Sequence, residues 1–166
     1  MDSLDHPAVS VAIDALTAAD QGLIPVSAVV RAEIAAVVID GAQGRYIVFV
    51  HPDGDQWRTR GTIFGAPRPA GPRRDRTMAW EPLQRLGTRF RSQTADRTGE
   101  GWFAVIGRAA LDAVSLSVAS TLEEHSAPIG ADGLAFAVIR ATSSEQPRIT
   151  VTTLDGQRVT ARPLAA

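Results

Sequence analysis

Apolar residues recur at every second position over much of this chain, in runs too short for long helices. The clearest case is residues 134–160. There L-A-F-A-V-I-R-A and R-I-T-V-T-T-L-D-G-Q-R-V-T are two runs rich in β-branched residues, with a turn at Asp155-Gly156. The alternation predicts half-buried strands. Before it, Val114, Leu116 and Val118 alternate with Ser115, Ser117 and Ala119, and residues 102–106 (W-F-A-V-I) make another short strand. Residues 107–110 read as a break, residues 98–101 and 128–133 as turns, and Glu123-Glu124-His125-Ser126 as an exposed polar stretch. Short strands with turn signals roughly every 8–12 residues predict an antiparallel sandwich or barrel.

The first third follows a different pattern. In residues 6–20, Val9, Ile13 and Leu16 fall on one helical face, Pro7 suits a first helical turn and Gln21-Gly22 supplies a stop. A helix is the reading, although Val9, Val11 and Ile13 also alternate. Residues 26–39 read as one apolar run closing at Asp40-Gly41. Residues 46–50 (Y-I-V-F-V) form a second strand, and residues 57–64 return after the Pro52-Asp53-Gly54-Asp55 turn. Together they predict a three-stranded antiparallel meander with two tight turns, in which Arg58 and Arg60 share a wet face.

Residues 65–76, G-A-P-R-P-A-G-P-R-R-D-R, carry too much proline and glycine for a regular element. In residues 77–93, Trp80, Leu83, Leu86 and Phe90 stand at helical spacing, which predicts a short amphipathic helix, with a strand as the alternative. The expected organisation is a helix plus meander over residues 1–66, an Arg/Pro-rich connection over 67–98, and a β-sandwich over 99–166, able to pack as a single domain. The fold class is mainly β: an antiparallel immunoglobulin-like sandwich with an N-terminal helix and β-meander. The alternative is a cone-shaped α+β fold with a curved sheet.

Charge changes this picture at one place. All 17 basic side chains are arginine. Residues 58–97 hold ten of them against three acids (Asp75, Glu81, Asp96), a local charge of +7. The remainder holds seven against fifteen acids, and the chain totals −1. Arginine recognises carboxylate and phosphate in bidentate fashion. Arg68, Arg73, Arg74, Arg76, Arg89 and Arg91, with Trp80 beside them, are therefore the candidate contact for an anionic partner. The competing reading pairs these arginines with the acids elsewhere. A near-neutral total disfavours nucleic acid as the partner.

Other chemistry finds little support. There is no cysteine, so disulfides, thiolate metal sites and a cysteine nucleophile are excluded. With no lysine there is no P-loop, and no G-x-S-x-G elbow occurs. His51-Pro52-Asp53-Gly54-Asp55 has too few ligands for zinc or calcium and reads as a turn. Glu123, Glu124 and His125 would need a folded neighbour such as Asp96 or Glu100 to act as acid–base groups. No catalytic residue, cofactor or metal is assigned. The opening M-D-S-L-D-H-P is acidic, unlike a secretory signal, and no run of about 18 apolar residues is present to span a membrane. Read as complete, the chain is expected to be cytoplasmic. An anchored or exported protein trimmed to its soluble part would share this composition.

The succession V-S-L-S-V, D-G-L-A-F-A-V-I and I-T-V-T-T-L-D-G-Q-R-V resembles small immunoglobulin-like β-sandwich domains of uncharacterised actinobacterial proteins. Gly133, Phe136, Ile149, Val151, Asp155 and Gly156 carry the likeness, which spans residues 101–162. The resemblance implies a sandwich and no enzyme activity. The expected function is a non-catalytic interaction module, protein–protein in kind, using the arginine-rich surface on an acidic partner. The alternative is a small-molecule-binding or hydrolytic domain with a pocket between helix and sheet. Open edge strands also admit a homodimer.

Overall fold

The computed structural model describes residues 3–92 and 99–162. The expected turn at residues 98–101 begins outside these residues, and Asp96 and Arg97 lie wholly outside them. The chain is mainly β, with antiparallel sheets and one N-terminal helix beyond a single 3-10 turn at Ser3–Asp5. It divides into two compact units, with the boundary between Ala70 and Gly71.

The first unit is a helix on a four-stranded meander. Helix α1 spans Pro7–Asp14 and continues as turns rather than helix, so it is shorter than its apolar spacing suggested. Pro7 occupies the first turn, and His6 caps it by accepting a hydrogen bond from the Ala8 N–H at Nδ1, 3.2 Å. Strands β1 (Ile24–Val30), β2 (Ala35–Asp40), β3 (Arg45–Asp53) and β4 (Gln56–Ala66) pair in sequence order. The single apolar run expected over residues 26–39 is therefore two strands, and the meander has four strands rather than three. The extra turn is closed by the Arg31 N–H on the Ile34 carbonyl, 2.8 Å. It contains no glycine or proline, the residues that usually mark such a turn. Ala8, Val9, Ala12 and Leu16 are buried in one core cluster with Val37, Val48 and Val50 of the sheet.

Asp20 ties the end of this unit together. It accepts from the Gln21 N–H (2.7 Å), the Gln43 N–H (2.9 Å) and the Tyr46 hydroxyl (2.8 Å). Burial pushes its carboxyl up, but the N–H of Gln43, the Tyr46 hydroxyl and the N–H groups of Gln21 and Ala42 outweigh that and hold it below the usual range. The same hydrogen bond to Asp20, with burial and the nearby negative charge, pushes the Tyr46 phenol up. Next to it, Arg45 grips Asp40 through two bonds of 2.6 and 3.0 Å.

The second unit is a two-sheet sandwich. Strands β5 (Leu83–Ser92), β6 (Glu100–Ala109), β7 (Ala113–Ala119), β8 (Glu124–Pro128), β9 (Leu134–Thr142), β10 (Arg148–Thr153) and β11 (Arg158–Ala161) follow in order. One sheet has the order β5-β6-β9 and the other β11-β10-β7-β8. Every pairing is antiparallel. This three-plus-four, Greek-key-connected order is that of immunoglobulin-like sandwiches. Phe103, Val105 and Ile139 from one sheet meet Leu116, Ile149 and Val151 from the other in a shared core.

Three expectations fail in this unit. The helix read over residues 77–93 is the strand β5, preceded by irregular chain. Between Gln84 and Gly87 the pairing with β6 takes in one extra residue, a β-bulge. The bulge puts Leu83 and Leu86 on the same inward face although they are three apart, and Phe90 follows four later. A period of two with one insertion thus imitates a helical period. The polar stretch at Glu123–Ser126 is mostly the edge strand β8, exposed at alternate positions. Residues 107–109 continue β6 rather than breaking it. A quantitative difference appears in β9, which is buried at every position from Leu134 to Ile139 instead of at every second one.

Candidate functional site

Three turns lie at one end of the sandwich: those joining β6 to β7, β8 to β9 and β10 to β11. Residues 71–82 run across this end as a strap. The Leu111 N–H donates to the Arg74 carbonyl (3.0 Å), the Ala110 N–H to the Pro82 carbonyl (2.9 Å), and the Arg108 guanidinium to the Gly71 carbonyl. The Leu154 N–H reaches the Asp112 carbonyl at 2.8 Å, which ties the last turn to the first.

Arg73 is the stitch that holds the strap. Its guanidinium donates to the carbonyls of Ala109 (3.4 Å), Ala110 (2.5 Å), Ala113 (2.9 Å) and Gly130 (3.3 Å). Those carbonyls belong to two different turns, so one planar fork closes the end of the sandwich. Gly133 makes room for it. At φ +79° it adopts a backbone that favours glycine, and a Cβ there would stand 2.9 Å from Arg73 Cγ. Arg76 pairs with Asp112 at 2.8 Å and also donates to the Ala79 carbonyl at 2.7 Å.

Four large apolar side chains at this end are exposed to solvent, among exposed charged residues such as Arg74, Asp75 and Asp155. Trp80 is 65% exposed, Leu154 74%, Leu111 50% and Met78 45%. Large apolar side chains gathered on one exposed end are unlike the scattered single ones of an ordinary surface. Asp155 stands beside Leu154, where the Thr153 hydroxyl (2.5 Å) and the Gln157 N–H (3.3 Å) hold its carboxyl below the usual range, with help from the Arg76 charge.

The arginines singled out by sequence fall into separate places. Arg73, Arg74, Arg76 and Trp80 come together on the strap. Arg73 and Arg76 are engaged within the chain, and Arg74 is exposed, its guanidinium in no hydrogen bond or ion pair among the described residues. Arg68 belongs to the first unit, where it approaches Asp40 at 3.4 Å. Arg89 and Arg91 share the face of β5 opposite Phe90, and the Arg89 guanidinium donates to the Thr88 carbonyl at 2.8 Å. Leu111, Leu154 and Met78 were missed, because an isolated leucine in a turn looks like any other until the turns are brought together. The His51–Asp55 stretch is the end of β3 and its turn, with Asp53 paired to Arg58 at 3.0 Å. Glu123 accepts from the Arg140 N–H at 2.9 Å, closing the edge of β9. No cluster of three metal-binding side chains occurs among the described residues. No described helix is long and apolar enough to cross a membrane.

Comparison with known family models, curated proteins and solved structures finds no match to this chain.

Proposed function

We propose that this protein is a non-catalytic interaction module that docks a protein partner on the loop end of its sandwich. The observation that carries the reading is the exposure of Trp80, Met78, Leu111 and Leu154 on one stitched, rigid end. Aromatic and aliphatic anchors held on a preorganised surface are what a protein interface uses, because little side-chain or loop entropy remains to be lost. The sandwich arrangement supports the proposed kinship with the small immunoglobulin-like domains it resembles.

The arginine-rich stretch contributes to this reading in a changed role. Arg73 and Arg76 build the platform, and Arg74 remains on its rim for an acidic group of the partner. The interaction reading is preferred to a ligand pocket, because Ala8, Val9, Ala12 and Leu16 are buried in one core cluster with the sheet.

The test is site-specific photocrosslinking. A photoreactive residue in place of Leu154, offered a lysate of the native host, is expected to give a discrete protein adduct. The adduct should disappear when Trp80→Asp is added, and a photoreactive residue at Thr121, at the opposite end, should give none. Absence of an adduct at Leu154, or one indifferent to Trp80→Asp, overturns the reading.

A further inference from the structure

The outer face of the four-stranded sheet carries a chemistry that the loop end lacks. Leu116, Val118, Ile149, Val151 and Ala161 point into the core, so the residues between them point outward. In register, Ser126, Ser117, Thr150 and Thr160 form one row across the four strands, with Ser117 and Ser126 hydrogen-bonded at 2.6 Å. The next row toward the loop end holds Ser115, Thr152 and Arg158. The next row the other way holds Arg148, and Arg162 follows Ala161 at the same end of β11.

Arg148, Arg158 and Arg162 are exposed, and none of their guanidinium groups enters a hydrogen bond or ion pair among the described residues. Glu124 is the one acid in these rows. Thr150 is sunk among its neighbours at 7% exposed, so the face offers the hydroxyls of Ser115, Ser117, Ser126, Thr152 and Thr160 with uncompensated guanidinium groups at both ends.

We propose that this face binds an extended acidic segment of a partner protein. Carboxylates are the natural bidentate partners of guanidinium groups, and the hydroxyls between them serve backbone carbonyls and further carboxylate oxygens. Arg158 stands opposite Thr152, and Arg148 lies four residues before Thr152. The two are therefore about 14 Å apart along the sheet, the span of acidic residues four apart on an extended chain. The face presents no aromatic ring on which bases could stack, which favours polypeptide over single-stranded nucleic acid.

Fluorescence anisotropy with a fluorescein-labelled polyglutamate peptide tests this. The full chain is expected to bind at low salt, and the double variant Arg148→Glu, Arg158→Glu to bind at least about tenfold more weakly. Arg148→Gln with Arg158→Gln should weaken binding in the same direction, which guards against a folding defect of the reversal. Trp80→Asp with Leu154→Asp should leave peptide binding intact, so this proposal and the loop-end reading fail separately. No binding at low salt, equal binding by the arginine variants, or tighter binding of a poly-dT oligonucleotide than of the peptide overturns the proposal.

Discussion

Arginine is conspicuous in this chain by number, yet individual positions divide it into different roles. Arg73 spends its guanidinium on four backbone carbonyls, and Arg45 spends its own on the buried Asp40. The guanidinium groups of Arg74, within the arginine-rich stretch, and of Arg148, Arg158 and Arg162, outside it, are left without a partner among the described residues. Local charge density in the sequence therefore does not tell which guanidinium groups are engaged within the chain. Pairing depends on neighbours far away in sequence, such as the 37 residues that separate Arg73 from Ala110. Arg73→Ala is expected to destabilise the second unit by about 2 kcal/mol, since it leaves turn carbonyls without their donor. Arg73→Lys should restore little of this, because an ammonium cannot span the two turns as a planar fork does. Denaturant unfolding monitored by hydrogen exchange at residues 109–113 checks both.

At the scale of elements, strands were easier to read than their exceptions. β7 follows its written alternation around Ser117, with Leu116 and Val118 buried and Ser117 half-buried, whereas in β10 Thr150 is buried between Ile149 and Val151. β5 was misread because its bulge shifts the apolar phase by one residue, and only the partner strand β6 reveals the insertion. β8 was hidden because edge strands are polar, a composition that resists unwanted pairing and resembles a loop. The β5–β6 pair also depends on a close approach at Gly101. A Cβ there would stand 2.6 Å from Phe90 Cζ and fall on the Arg91 carbonyl oxygen. Gly101→Ala is expected to cost about 1–3 kcal/mol through this overpacking. Faster hydrogen exchange along the β5–β6 ladder, with β10–β11 less affected, is the expected signature.

Across the whole molecule, the carboxylates that organise both units share one electrostatic condition. Glu145 accepts from the N–H groups of Thr142 (2.7 Å) and Thr121 (2.8 Å), which hold its carboxyl below the usual range against a smaller contribution from burial. Asp20 and Asp155 are likewise depressed. A depressed folded-state pKa means that the unfolded chain takes up protons first as pH falls. The stabilisation from these groups is thus present above the unfolded carboxylate range, about pH 4, and is lost as pH drops through the lower folded values. Asp20→Asn with Glu145→Gln should lower stability at neutral pH and flatten its fall in acid. Urea midpoints measured across that pH range check this; an unchanged acid limb would refute it.

The sequence by itself determined that the chain is mainly β, that its strands are short and antiparallel, that a helix opens it and that Asp-Gly pairs turn it. These properties rest on alternation and on backbone preferences, which are local and survive without the fold. Tertiary structure alone decided that residues 83–92 are a bulged strand and that residues 71–82 are stitched across three turns. It likewise gathered Trp80, Met78, Leu111 and Leu154 on one end and left Arg148 and Arg158 unpaired on an open sheet face. Each of these depends on which distant groups become neighbours, and that is fixed by packing two sheets around one core rather than by any short run of residues.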